Sequence, residues 1–180
     1  MKFGLFTHIP WPEEKDPKQV LDETTEEIVY AEELGFHSAW VAEHHFSRYG
    51  LGSSSLVFSA SVAAQTKKIR LGTAILIPPL HHPIKLAEDA ATLDLVSGGR
   101  FDAGFGRGTA GYEYAGYNID QGESQARFQE TINMVKGLWT TPGFSYKGKY
   151  FEAEDVNLVP PPLQKPHPPI YIAATRTPAT

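Results

Sequence analysis

The chain has 180 residues, 41% of them hydrophobic and 21% charged, which is enough apolar material for one globular domain with a sizeable core. Acidic and basic residues are interspersed and sum to a formal charge of -5, so there is no electrostatic footprint for nucleic acid or an anionic membrane. The lack of cysteine excludes a disulfide framework, a thiolate metal site and a cysteine nucleophile.

No run approaches the ~20 apolar residues needed to span a bilayer. The apolar start at Met1 to His8 is too short for a signal peptide and is soon followed by the charged stretch Glu13 to Asp16. The expectation is a soluble, cytoplasmic protein whose partners are small molecules or other subunits.

Lys2 to Thr7 reads as a first strand, ending at His8 and the rigid Pro10-Trp11-Pro12 loop. Asp16 is placed to cap a first helix, with Pro17 at its first position and Gln19 completing a capping box. Val20, Leu21, Thr24, Ile28, Ala31 and Leu34 recur at helical spacing. The glutamates between them, Glu32 among them, read as a solvated face, and Gly35 stops the helix. Ser38 to Val41 is a short buried strand. Ser53-Ser54-Ser55 then caps a second helix whose last turn holds Lys67-Lys68.

Ile69 to Ile77 is a near-continuous apolar run, the mark of a strand covered on both faces, and Pro78-Pro79 ends it. A third helix runs from Ile84 to Val96, followed by a fourth strand from Arg100 to Gly106. A tyrosine- and glycine-rich loop leads to a fourth helix carrying Phe128, Ile132, Val135, Leu138 and Trp139 on one stripe. Gly143 to Glu152 reads as a hairpin turning at Lys147-Gly148, with Tyr150 and Phe151 as strand formers. A proline-rich connection leads to a fifth strand, Ile170 to Ala174. Strand and helix alternate with short connections, so the class is α/β with a parallel sheet.

Chemistry-bearing residues follow successive strands: His8; Glu43, His44 and His45; His81 and His82; Arg107. That distribution suits a barrel, where such loops converge on one rim, rather than a doubly wound sheet with one switch point. A full (β/α)8 barrel takes ~250 residues, so five strands point to its amino-terminal part. The pair of histidines beside Glu43 at a strand's carboxyl end suits proton transfer. The usual His-x-His and Glu-x-x-His metal spacings are missing. Gly106-Arg107-Gly108-Thr109-Ala110-Gly111 matches G-x-G-x-x-G, yet Tyr112 to Tyr117 does not read as the apolar helix a dinucleotide fold requires. What remains is a glycine-lined turn with one fixed positive charge, fit for a phosphate.

The ordered set Ala39-Trp40-Val41-Ala42-Glu43-His44-His45-Phe46, Leu71-Gly72-Thr73-Ala74, His82-Pro83 with Ala87-Glu88-Asp89, Ser97-Gly98-Gly99-Arg100-Phe101 and Gly104-Phe105-Gly106-Arg107-Gly108 resembles the bacterial luciferase-like flavin monooxygenases. The resemblance implies a (β/α)8 TIM-barrel type domain over residues 1-180, truncated after barrel strand five, with a small β-hairpin inserted between helix four and strand five. It implies a two-component FMN enzyme that uses reduced flavin, supplied by a separate reductase, and molecular oxygen to oxygenate a small apolar organic substrate, working as a homodimer or larger oligomer. By that similarity His44 is the proton donor or acceptor, with His45 adjacent and Glu43 orienting them. Thr73, Ala74 and Ile75 lie against the flavin ring, with a cis peptide expected at Ala74-Ile75. Arg107 holds the flavin phosphate, Glu113 lies near the ring, and Thr175 and Thr177 meet the phosphate.

Gly106 stands in place of the luciferases' reactive cysteine, which argues against light emission, and Arg176 replaces a small hydroxyl residue near the phosphate. Three rival readings stay open: hydride transfer with the deazaflavin F420 on the same fold, a non-catalytic flavin-binding or subunit-pairing protein, and a metal-dependent barrel hydrolase.

Overall fold

The computed structural model describes residues 1–174. Its elements in order are β1 (Gly4–Thr7), α1 (Pro17–Glu33), β2 (Ser38–Val41), α2 (Ser55–Gln65), β3 (Arg70–Thr73), α3 (Pro83–Val96), β4 (Phe101–Phe105), α4 (Gly111–Gly116), α5 (Ser124–Thr140), β5 (Phe144–Lys147), β6 (Glu152–Val156) and β7 (Ile170–Ile172). One five-stranded sheet runs β1-β2-β3-β4-β7 with every neighbouring pair parallel, and β5 and β6 form a separate antiparallel hairpin between α5 and β7. The α/β class with a parallel sheet is therefore observed, with the hairpin in its expected place.

Strand periodicity decides what each face carries. Ala39, Val41, Leu71, Phe101, Ala103 and Phe105 point to one side and pack with Val20 and Ile28 of α1, Val62 of α2, Leu86 and Ala90 of α3, and Val135, Leu138 and Trp139 of α5. A large side chain fully buried in such a layer contributes about 1.5–3 kcal/mol. The opposite face carries Phe6, Trp40 and Tyr171; the Trp40 ring meets Tyr171 edge-on at 5.1 Å and lies over Gly72, where a Cβ would collide with it. Phe6 and Tyr171 remain about half exposed.

Asp16 caps α1 as expected, accepting from the amides of Lys18 and Gln19. Gln19 does not complete a capping box; its side-chain amide donates to the Glu23 carboxylate one turn on, at 2.9 Å. The α2 cap at Ser54 makes no side-chain bond, and α2 ends before Lys67-Lys68. The charged face of α1 is also less idle than its pattern suggests. Glu32 reaches past the helix end and accepts the amide hydrogens of Lys67, Lys68 and Ile69 at 2.6–3.0 Å. Arg100 holds the same segment from the other side, donating to the carbonyls of Ala63, Thr66 and Ile69. Together they seat the entry to β3.

Two elements differ further from the sequence reading. β3 stops at Thr73 rather than Ile77, and beyond it Leu76 returns to the sheet, bridging Phe105; the Ala74-Ile75 peptide is cis, as the resemblance implies. In the hairpin, Tyr150 and Phe151 lie in the loop and the acidic run Glu152–Val156 forms the second strand. The loop is fixed by the Tyr150 amide donating to buried Glu130 at 2.8 Å and by the Arg127 guanidinium 4.4 Å over the Tyr150 ring. Those long-range bonds outweigh aromatic strand propensity.

Candidate active site

Parallel strands bring their carboxyl ends to one edge, and here the loops beyond β1, β2, β3, β4 and β7 line a single cavity of about 320 Å³. Phe6 comes from β1 itself and His8 from the loop after it, His44 and Tyr49 from the second loop, Ala74, Ile75 and Ile77 from the third, Gly106 to Ala110 from the fourth and Ala173 from the last. His44 and Arg107 thus share one cavity.

Sterics explain the glycines of the fourth loop. A Cβ on Gly106 would come within 2.5 Å of Ile75 Cδ1, and Gly108 has φ +70° with Ile77 alongside. Only glycine adopts that conformation readily. Both glycines let the Arg107 backbone run close to the apolar wall of Ile75 and Ile77. The Arg107 carbonyl is fixed by the Tyr114 hydroxyl, whose phenol burial pushes up to about 12, so that it stays a donor.

Gly111–Gly116 form α4, where the sequence reads as a tyrosine- and glycine-rich loop. It is a six-residue turn of helix, too short for a dinucleotide fold. Its Gly116 packs against the Phe46 ring so closely that a Cβ would overlap it. This contact aims buried Glu113 at the histidine pair. Glu113 Oε1 accepts the His45 amide at 3.0 Å and lies 3.2 Å from His44 Nδ1.

With Nδ1 donating to a carboxylate, the His44 imidazole presents Nε2 as its basic nitrogen; the tautomer follows from the partner. Aromatic rings complete its setting, Tyr49 edge-on at 4.7 Å and His8 at 6.4 Å, with His8 stacked on Tyr49 at 4.9 Å.

Glu43 does not orient His44. Its Oε1 accepts from His45 Nε2 at 2.7 Å and His81 Nε2 at 2.8 Å, and its Oε2 takes the Ile77 amide at 3.1 Å. Burial pushes this carboxyl up, but the bonds from His45 and His81 outweigh it and hold the group below its ordinary value. His45 is buried away from the cavity, its Nδ1 3.2 Å from the Tyr117 hydroxyl.

Of the sequence-assigned residues, Glu43, His44, Ala74, Ile75, Arg107 and Glu113 line the cavity. Thr73 does not: its buried hydroxyl exchanges hydrogen bonds with the backbone of Gly104 at 2.9 and 3.0 Å, joining β3 to β4. Thr175 and Thr177 lie outside the described residues. Among the described residues, no group of three or more histidines and acids is arranged to hold a metal ion. Phe6, Tyr49, Ile77 and Ala173 were not picked out from the sequence, since an apolar or aromatic residue at a strand end or in a loop carries no signal of facing a cavity rather than the core.

A parallel sheet whose strand-end loops gather a carboxylate-held histidine and a glycine-flanked arginine around an apolar-walled cavity has the layout of a small-molecule site of the α/β class. The chain belongs to the luciferase-like monooxygenase family, whose model matches residues 1–180. It is 35% identical over 177 residues to the oxygenase component of the flavin-dependent trigonelline monooxygenase of Acinetobacter baylyi, covering 97% of this chain and 49% of that one. Among solved structures, the monooxygenase RslO1 from Streptomyces bottropensis superposes with a TM-score of 0.96 at 38% identity, over 99% of this chain and 55% of that one. An F420-dependent secondary alcohol dehydrogenase in complex with an F420-acetone adduct shares the fold at TM-score 0.81 and 23% identity, over 96% of this chain and 52% of that one. The chain spans about half the length of the curated relatives it matches.

Proposed function

We propose that these residues are the amino-terminal part of a (β/α)8-type, FMN-dependent monooxygenase that oxygenates a small organic substrate with reduced flavin from a separate reductase. The observation that carries the proposal is the shared cavity of His44 and Arg107, walled by Ala74, Ile75 and Ala173.

The donor set fits FMN. An apolar wall in the same cavity as His44 suits a flat ring, and the glycine turn with its guanidinium suits a terminal phosphate. When bound, the reduced flavin supplies the reaction of molecular oxygen. The protein's own tasks are to hold the phosphate at Arg107, to keep the ring against Ala74 and Ile75, and to exchange one proton at His44 Nε2. Glu113 sustains that exchange by fixing the imidazole's orientation through Nδ1. Phe6 and Tyr49 limit water at the histidine end of the cavity.

The relatives named as monooxygenases support the oxygen chemistry, and the fold shared with an F420-dependent enzyme sets the rival. The test compares oxidised FMN and F420 as ligands by fluorescence titration, then follows oxygen uptake with reduced FMN. Saturable FMN binding with oxygen uptake that depends on added organic substrate is expected. Binding of F420 alone, with no oxygen uptake, would overturn the proposal.

A further inference from the structure

His81 is the member of this cluster whose place has no counterpart in the chemistry just proposed. It follows the 3-10 turn Pro78–Leu80, and its ring turns inward to Glu43, while the adjacent His82 is exposed and packs edge-on against Phe151. Glu43 is 2% exposed, yet it gathers four bonds from two loops: His45 and His81 through Oε1, the Ile77 amide through Oε2, and its own amide donating to the Ile75 carbonyl at 3.3 Å. Ile75 and Ile77 are the cavity wall, and residues 43 to 45 carry His44.

A carboxylate this buried needs a positive partner, because leaving it unpaired costs far more than a hydrogen bond returns. His45 has its second nitrogen facing the Tyr117 hydroxyl, which fits a neutral ring accepting there and donating to Glu43. His81 is the ring left to carry the charge.

We propose that His81 is a positioning residue: its protonated imidazole latches Glu43 and thereby locks the Ile75–Ile77 wall to the loop that presents His44. This rests on the reading of the cavity as a flavin site, which it deepens by adding a charge-dependent lock. The groups facing His81 are Glu43 from the β2 loop, with His45 across the same carboxylate, and Asp89 of α3, itself paired with Lys85. Burial pushes the His81 imidazole down, but the bond and charge of Glu43 outweigh it and Asp89 adds to them, so the net direction is above its ordinary 6.5. The latch is therefore fully present below that value and is lost as pH rises through the higher folded-state value.

Two readouts test the latch in the intact chain, with circular dichroism confirming that each variant is folded. The first is the histidine NMR titration, with His81 assigned by its loss in His81→Gln. The signal is expected to titrate above 6.5 and to fall by ~1 unit or more in Glu43→Gln. The second is FMN affinity against pH. Wild type is expected to bind ~10-fold tighter below pH 6.5 than well above the His81 titration, whereas His81→Gln, which keeps a donor without the charge, binds weakly and evenly throughout. A His81 that titrates at or below 6.5, or a His81→Gln profile that follows wild type, overturns the latch. If His81 titrates as expected but FMN binds neither protein, the latch stands and the flavin reading falls.

Discussion

Glu113 Oε1 lies 3.2 Å from His44 Nδ1 and 3.0 Å from the His45 amide nitrogen, so one buried carboxylate oxygen fixes both the ring and the backbone of the strand-end pair. The short helix after the glycine turn carries Glu113, and from there the carboxylate reaches back to the loop after β2.

His44→Ala is expected to leave FMN affinity nearly unchanged and to lower substrate-dependent oxygen uptake ~10²-fold or more, the range for losing a general acid–base group. Glu113→Gln keeps the shape but can present its amide to Nδ1, reversing the tautomer. It is expected to lower uptake by ~10-fold or more and to alter its pH profile, again with FMN still bound. Parallel FMN titrations and oxygen-electrode assays check both. Unchanged uptake in His44→Ala removes this histidine from the chemistry.

Arg107 leads to a prediction about which flavin is held. If the glycine turn receives the phosphate, Arg107→Ala should weaken FMN by ~10–150-fold, the equivalent of a charge-assisted hydrogen bond of about 1.5–3 kcal/mol. Riboflavin, which lacks the phosphate, should bind wild type and variant alike. Equal weakening of both flavins would instead mean that Arg107 supports the loop rather than the ligand.

The sequence disclosed the parts of this fold that depend on local pattern. β2 appears where an apolar, β-branched run is bounded by Gly35 and Ser47, and α3 and α5 appear where apolar residues recur every three to four positions. It misjudged what distant partners decide. Ala74 to Ile77 is as apolar as a strand, yet its amides go by turns to Val41, Gly104 and the Glu43 side chain rather than to one ladder. The two adjacent rings His81 and His82 are indistinguishable in sequence, and the turn before them sends one inward and the other out. Glu113 was found through family resemblance, because no spacing rule links position 113 to position 44.

Glu32 illustrates the same limit and yields a prediction about stability. On the pattern of α1 it is one more exposed glutamate, but its carboxylate takes three successive amides of the segment entering β3. Partial burial pushes its pKa up, while the amides of Ile69, Lys68 and Lys67 together outweigh that and hold it below the ordinary 4.5, with Arg100 adding to the same direction. A carboxyl with a lowered folded-state value contributes stability above its unfolded value and loses it as pH falls through the folded one. Glu32→Ala should therefore destabilise the chain by about 1–3 kcal/mol near neutral pH, because three amides lose a charged acceptor. Glu32→Gln, which keeps one carbonyl acceptor, should cost less. In urea melts taken from pH 7 down to pH 3, the gap between wild type and Glu32→Gln should narrow once pH passes below 4.5. A gap that stays constant across that range would show that the carboxylate's charge contributes nothing to seating β3.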